Sequence, residues 1–141
     1  MSSSTAALRR VLMRRPPHDV SAWQALGWTA EPDPAALAAE HEALCLTLEQ
    51  AGAEVVVAGP RGLDAIYTYD AALVADEGVV LLRPGKEARR DEPESLVQYL
   101  DRVLARLDEP AFAEGGDLFW LAPGVLCAQG SSENRPPDLL Y

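Results

Sequence analysis

The chain has 141 residues, 48% of them hydrophobic and 24% charged, enough for one globular core under an ordinary solvated surface. A formal charge of -10 and a sequence pI near 4.5 exclude a nucleic-acid partner, because phosphate-backbone binders carry clustered positive surface. The first apolar run, Val11 to Met13, sits between arginine pairs and is too short for a signal or spanning helix, so a cytoplasmic chain with no membrane partner is expected. Two cysteines, Cys45 and Cys127, are too few for a disulfide framework and lack metal-ligand spacing, so no metal or other cofactor is expected.

In chain order, Arg10 to Arg15 is a short apolar strand that Pro16, Pro17 and His18 break into a loop. Asp33 can cap a helix with Pro34 at its first position, and Leu37, His41, Leu44, Cys45 and Leu48 recur at helical spacing until Gly52. Glu54 to Ala58, with three consecutive valines ahead of Gly59 and Pro60, reads as a short buried strand. Ala65 to Leu82, interrupted at Asp76, Glu77 and Gly78, predicts two antiparallel strands. Pro93 to Leu107 places Leu96, Leu100, Val103, Leu104 and Leu107 on one stripe and predicts a second helix. Leu118 to Leu121 and Val125 to Ala128, split by Pro123 and Gly124, predict a hairpin with a type II turn. The expected fold class is α/β, built from repeated mixed β-β-α-β modules, with residues 1–129 as one partial domain and 130–141 as an irregular tail.

Asp64 and Asp70 flank the strand expected at Ala65 to Tyr69, and Glu114 and Asp117 flank Gly115 and Gly116. Taken singly, acidic residues beside glycine bond their own backbone in turns. Brought together at strand ends they would form a carboxylate cluster, and a planar guanidinium is the cation that such a cluster holds best.

The run Leu63-Asp64-Ala65-Ile66-Tyr67-Thr68-Tyr69-Asp70, then Arg83-Pro84-Gly85, Arg89-Arg90 and Glu114-Gly115-Gly116-Asp117, in this order and after Leu12-Met13-Arg14-Arg15-Pro16-Pro17, resembles the dimethylarginine dimethylaminohydrolase branch of the pentein, or guanidino-group-modifying, superfamily, with its amidinotransferase relatives. The resemblance implies a ring of five α/β modules (an α/β propeller), of which this chain supplies slightly more than two as an N-terminal half. It implies that Asp70 and Glu114 hold and polarise a guanidinium as the catalytic carboxylates, that Asp64 stands at the pocket entrance, that Arg89 binds the α-carboxylate of the substrate, and that Arg135 is a displaced substrate-binding arginine. Tyr69 stands where some relatives place an acidic residue, so the resemblance implies an arginine-like or methylated-arginine ligand without naming it. The nucleophilic cysteine and the acid-base histidine of the family are expected beyond residue 141. His18, His41, Cys45 and Cys127 match neither, so the chain alone is expected to be inactive. The alternative is a non-catalytic module that binds guanidinium or cationic amino acids. An incomplete ring would expose apolar module faces, so a homo-oligomer or a second chain completing the fold is expected.

Overall fold

The apolar stretch after Arg9 forms β1 (Arg10–Arg14) in the computed structural model, which describes residues 6–129. A loop leads to α1 (Pro34–Gln50), where Asp33 stays extended and its Oδ1 accepts the backbone N–H groups of Ala35 and Ala36 at 2.7 and 3.0 Å. Two of the donors orphaned by the first helical turn are thereby satisfied, and Pro34 removes a third at no cost. Gly52, at φ 93°, turns the chain into β2 (Glu54–Ala58), which pairs in parallel with β1 from Arg10 opposite Glu54 to Arg14 opposite Ala58. The half-buried side of α1 is the stripe Leu37, His41, Cys45 and Leu48, while Leu44 is exposed. This β-α-β arrangement belongs to a compact unit spanning Leu8–Thr68.

The second unit takes in the residues up to Ala7 and those from Tyr69 onward. Its β3 (Ala72–Ala75) and β4 (Gly78–Leu81) form a hairpin, with Ala72 opposite Leu81 and Ala75 opposite Gly78. The short helix α2 (Glu92–Leu96) follows, and β5 (Val103–Arg106) then returns in parallel along β4. The order β3-β4-α2-β5 is thus a β-β-α-β sequence. Its core is Ala72, Val79 and Leu81, with Val97, Leu100 and Val103 packed against them. Then β6 (Leu118–Ala122) and β7 (Val125–Ala128) pair antiparallel, and Gly124 takes φ 75° in the turn, as the Pro-Gly order predicts.

Two expectations are corrected. Ala65 to Tyr69 is not a strand: Leu63–Ile66 and Thr68–Ala71 are 3-10 turns, and the hairpin starts at Ala72. The backbone is closed locally, with the Ala65 N–H on the Gly62 carbonyl and the Tyr67 N–H on the Asp64 carbonyl, while Thr68 Oγ1 donates to the Leu12 carbonyl at 2.9 Å. The helix expected from Pro93 to Leu107 stops at Leu96, passes through a 3-10 turn at Val97–Tyr99 and becomes extended at Leu100. The open edge of β4 decides this, since Val103, Ala105 and Arg106 satisfy it in register with Val79, Val80 and Leu81. Leu96, Leu100 and Val103 keep an apolar environment on either path, so the stripe is silent about the switch.

Asp33→Ala should lower global stability by about 1 kcal/mol, read as a shift of the urea midpoint at unchanged slope. Asp33→Ser should recover most of the loss.

Candidate functional site

Chain topology brings Asp70, Arg89, Glu92 and Glu114 together in the second unit. Asp70 closes the 3-10 turn just ahead of β3, and the Leu82 N–H donates to the Ala71 carbonyl at 2.9 Å. Arg83 and Ala113 exchange both backbone hydrogen bonds at 3.1 Å, which carries Glu114 back beside Pro84 and Gly85. Arg89 ends a 3-10 turn, Glu87–Arg89, and Glu92 opens α2 three residues later. Asp117 locks the Glu114 loop, its carboxylate accepting the Glu114 N–H at 3.0 Å while its own N–H donates to the Glu114 carbonyl at 2.9 Å. The turn is tight enough to need glycine: a Cβ on Gly115 would run into the backbone carbonyl oxygen of Tyr69 and lie 2.5 Å from the tyrosine ring.

Arg89 is only 4% exposed. Its Nε reaches Glu92 Oε1 and Oε2 at 3.1 and 3.0 Å, its Nη2 reaches Glu92 Oε2 at 2.9 Å, and its Nη1 reaches Asp70 Oδ2 at 3.1 Å and stands 4.0 Å from Glu114 Oε2. Burial works against the guanidinium charge, but the hydrogen bonds and fields of Glu92 and Asp70 outweigh it and push its pKa up. Glu114 shifts the other way. Burial raises its carboxyl pKa above the ordinary value, Arg89 and the Gly85 N–H pull it down, and Asp70 and Asp117 raise it again. Its Oε1 is buried and has no hydrogen-bond donor among the described residues. Three carboxylates thus share one guanidinium, and a buried acceptor is left open.

Of the residues singled out from sequence, the structure brings Asp70, Glu114 and Arg89 into one cluster, with the Arg89 donors turned toward protein carboxylates. Asp64 belongs to the Leu8–Thr68 unit, where it is 4% exposed and accepts the Trp28 indole N–H at 2.7 Å. Arg135 lies outside the described residues. Glu92 was missed, although its i,i+3 spacing from Arg89 is a legible signal for an ion pair. Arg90, next in sequence, stacks over Phe112 with its guanidinium carbon 5.5 Å from the ring centre. His41 and Cys45 face each other on α1, with sulfur 3.8 Å from both ring nitrogens. Burial, then Arg15, lowers the imidazole pKa, and burial, then Glu49, raises the thiol. Both shifts disfavour a thiolate-imidazolium pair. Cys127 stands opposite Phe119 in the β6–β7 hairpin. Among the described residues no group of His, Cys, Asp and Glu is arranged to hold a metal ion.

No protein-family model matches the chain. The N(G),N(G)-dimethylarginine dimethylaminohydrolase of Pseudomonas aeruginosa is 24% identical over 110 residues, covering 74% of this chain and 43% of that protein. A crystal structure of dimethylarginine dimethylaminohydrolase in adduct with 4-chloro-2-hydroxymethylpyridine superposes with a TM-score of 0.70 at 22% identity, over 82% of this chain and 46% of the other. The chain has a pentein fold. The Pseudomonas aeruginosa enzyme solved as a cysteine-to-serine variant with citrulline gives a TM-score of 0.69 at 22% identity, over 80% of this chain and 47% of that one. The chain spans less than half the length of the relatives it matches.

Two substitutions test the geometry. Gly115→Ala should cost about 3 kcal/mol, the upper range for forced overpacking, because the obstacle is backbone. Glu114→Gln should stabilise the ligand-free protein modestly at neutral pH, because it removes a carboxylate whose ionisation burial opposes. Because the folded-state pKa of Glu114 is raised, its contribution to wild-type stability falls as pH rises from the ordinary carboxyl value through the raised one. The advantage of Glu114→Gln should therefore grow between pH 4 and pH 7 in thermal melts, and a constant gap would refute the assignment.

Proposed function

We propose that this chain is the N-terminal portion of a dimethylarginine dimethylaminohydrolase- or amidinotransferase-like enzyme, with residues 1–129 as a partial pentein domain of slightly more than two modules and 130–141 as its tail. Its site holds the guanidinium of arginine or a methylated arginine. The observation that carries this reading is the unbalanced cluster: Asp70, Glu92 and Glu114 surround one guanidinium, and Glu114 Oε1 has no donor among the described residues. A buried carboxylate so placed favours a second cation with planar N–H donors. The citrulline complex of the structural relative supports an arginine-like ligand.

Asp70 and Glu114 are the residues proposed to bind and polarise that guanidinium, with Asp64 at the pocket entrance and Arg135 a further ligand contact. Arg89 serves first as their internal counter-ion. A role in gripping the α-carboxylate of a ligand requires it to exchange Asp70 for that group, which is chemically open to a guanidinium with several donors. The settings of His18, His41, Cys45 and Cys127 support binding without turnover by this chain on its own. The His41 imidazole pKa is lowered and the Cys45 thiol pKa raised, so the pair is not poised as thiolate and imidazolium. This observation favours the second reading, a guanidinium-binding module, for the isolated chain.

The exposed Phe119, Leu121, Val125 and Leu126 of the β6–β7 hairpin support self-association or completion by a second chain, since a lone two-stranded hairpin is marginal in water. No helix among the described residues is long and apolar enough to cross a membrane, and we propose a cytoplasmic location.

Calorimetry with arginine, dimethylarginine and citrulline should show the two cationic ligands binding more tightly than neutral citrulline, with no citrulline formed on prolonged incubation. Asp70→Asn and Glu114→Gln should each weaken arginine binding by at least tenfold, on the order of one lost charge-assisted hydrogen bond. Equal affinity for citrulline and arginine would contradict a carboxylate-based site. Sedimentation velocity should show association that grows with concentration, and a clean monomer at high concentration would remove the partner proposal.

A further inference from the structure

The geometry points to Glu92 as a positioning residue of the carboxylate cluster, one that turns Arg89 so that a single amino group, Nη1, faces Asp70 and Glu114. This rests on the guanidinium-site reading above and adds what controls the charge of that site. A guanidinium can present either of two edges to a carboxylate. Glu92 takes the Nε–Nη2 edge with three contacts of 2.9 to 3.1 Å, which leaves Nη1 for Asp70 at 3.1 Å and for Glu114 at 4.0 Å.

The grip is firm because Glu92 is itself fixed. It is 5% exposed, opens α2 ahead of Pro93, and its backbone carbonyl accepts the Ser95 hydroxyl at 2.5 Å. Its charge also offsets that of Arg89, so the charges of Asp70 and Glu114 remain available to an incoming cation. Without Glu92, the buried guanidinium would be drawn wholly onto those two carboxylates, in the place a ligand guanidinium is proposed to take. Glu114 reports this directly, because the groups that face it are Arg89, Asp70, Asp117 and the Gly85 N–H, and only Arg89 carries positive charge among them.

The experiment follows the Glu114 carboxyl by carbon NMR titration in the wild type, in Glu92→Gln and in the charge-retaining Glu92→Asp, alongside calorimetry with arginine on the same full chains. In Glu92→Gln, Glu114 should titrate at lower pH than in the wild type, and arginine affinity should fall by about tenfold, the equivalent of one pKa unit of interaction. Glu92→Asp should restore the titration and most of the affinity. Loss of thermal stability alone, with Glu114 and arginine affinity as in the wild type, would make Glu92 merely structural and overturn the inference. If the wild type binds no guanidinium compound, the proposed function fails, while the Glu114 titration still decides the role of Glu92. Should Glu92→Gln not fold, Arg89→Lys carries the same test. Lysine keeps the charge but offers no second edge to Glu92, so Glu114 should leave its wild-type titration, and an unchanged curve refutes the positioning role.

Discussion

A guanidinium taken out of water must be matched by carboxylates held close and at fixed angles, and around Arg89 that requirement organises the local fold. Removing one partner from such a group is expensive because the remaining charge stays buried. Glu92 supplies the nearest match by sequence, three residues on, and Asp70 and Glu114 supply the distant ones. The distant partners are available only because β3 pairs with β4 and because Arg83 and Ala113 exchange hydrogen bonds. The ion cluster and the β-β-α-β order therefore depend on each other.

Glu114 is held at an energetic cost. Its carboxylate is buried, partly compensated by Arg89 and the Gly85 N–H, and has one oxygen with no donor among the described residues. A protein selected only for stability would place an amide or an apolar group there. Asp117 and Glu114 close their turn reciprocally, the Asp117 carboxylate accepting the Glu114 N–H and the Glu114 side chain accepting the Asp117 N–H.

Asp64 plays a similar part in the other unit. Its carboxylate accepts the Trp28 indole N–H while the 3-10 turn around it closes on its own backbone. The hydrogen bond ties a tryptophan far away in sequence to the turn, and the 6.5 Å tilted contact between Trp28 and Tyr67 adds an aromatic one. Whatever part Asp64 takes toward a ligand, its first task here is to hold that loop.

The sequence by itself determined the elements whose signals are local. The Asp33–Pro34 start of α1, the three valines of β2, the acidic turn between β3 and β4 and the Pro123–Gly124 turn were all legible, because caps, turns and β-branched runs act within a few residues. It also singled out Asp70 and Glu114 as acidic residues beside an expected strand and a glycine pair, and Arg89 only through the family resemblance. Tertiary structure decided the rest. The stripe from Leu96 to Val103 is apolar whether helical or extended, and only the unpaired edge of β4 made it leave the helix for β5. The strand expected before Asp70 became 3-10 turn because its backbone bonds were closed locally and Thr68 was claimed by β1. Which face Arg89 shows, and that Glu92 is what turns it, could be decided only in three dimensions, since the energy of a buried ion pair depends on distance and burial that sequence spacing does not encode.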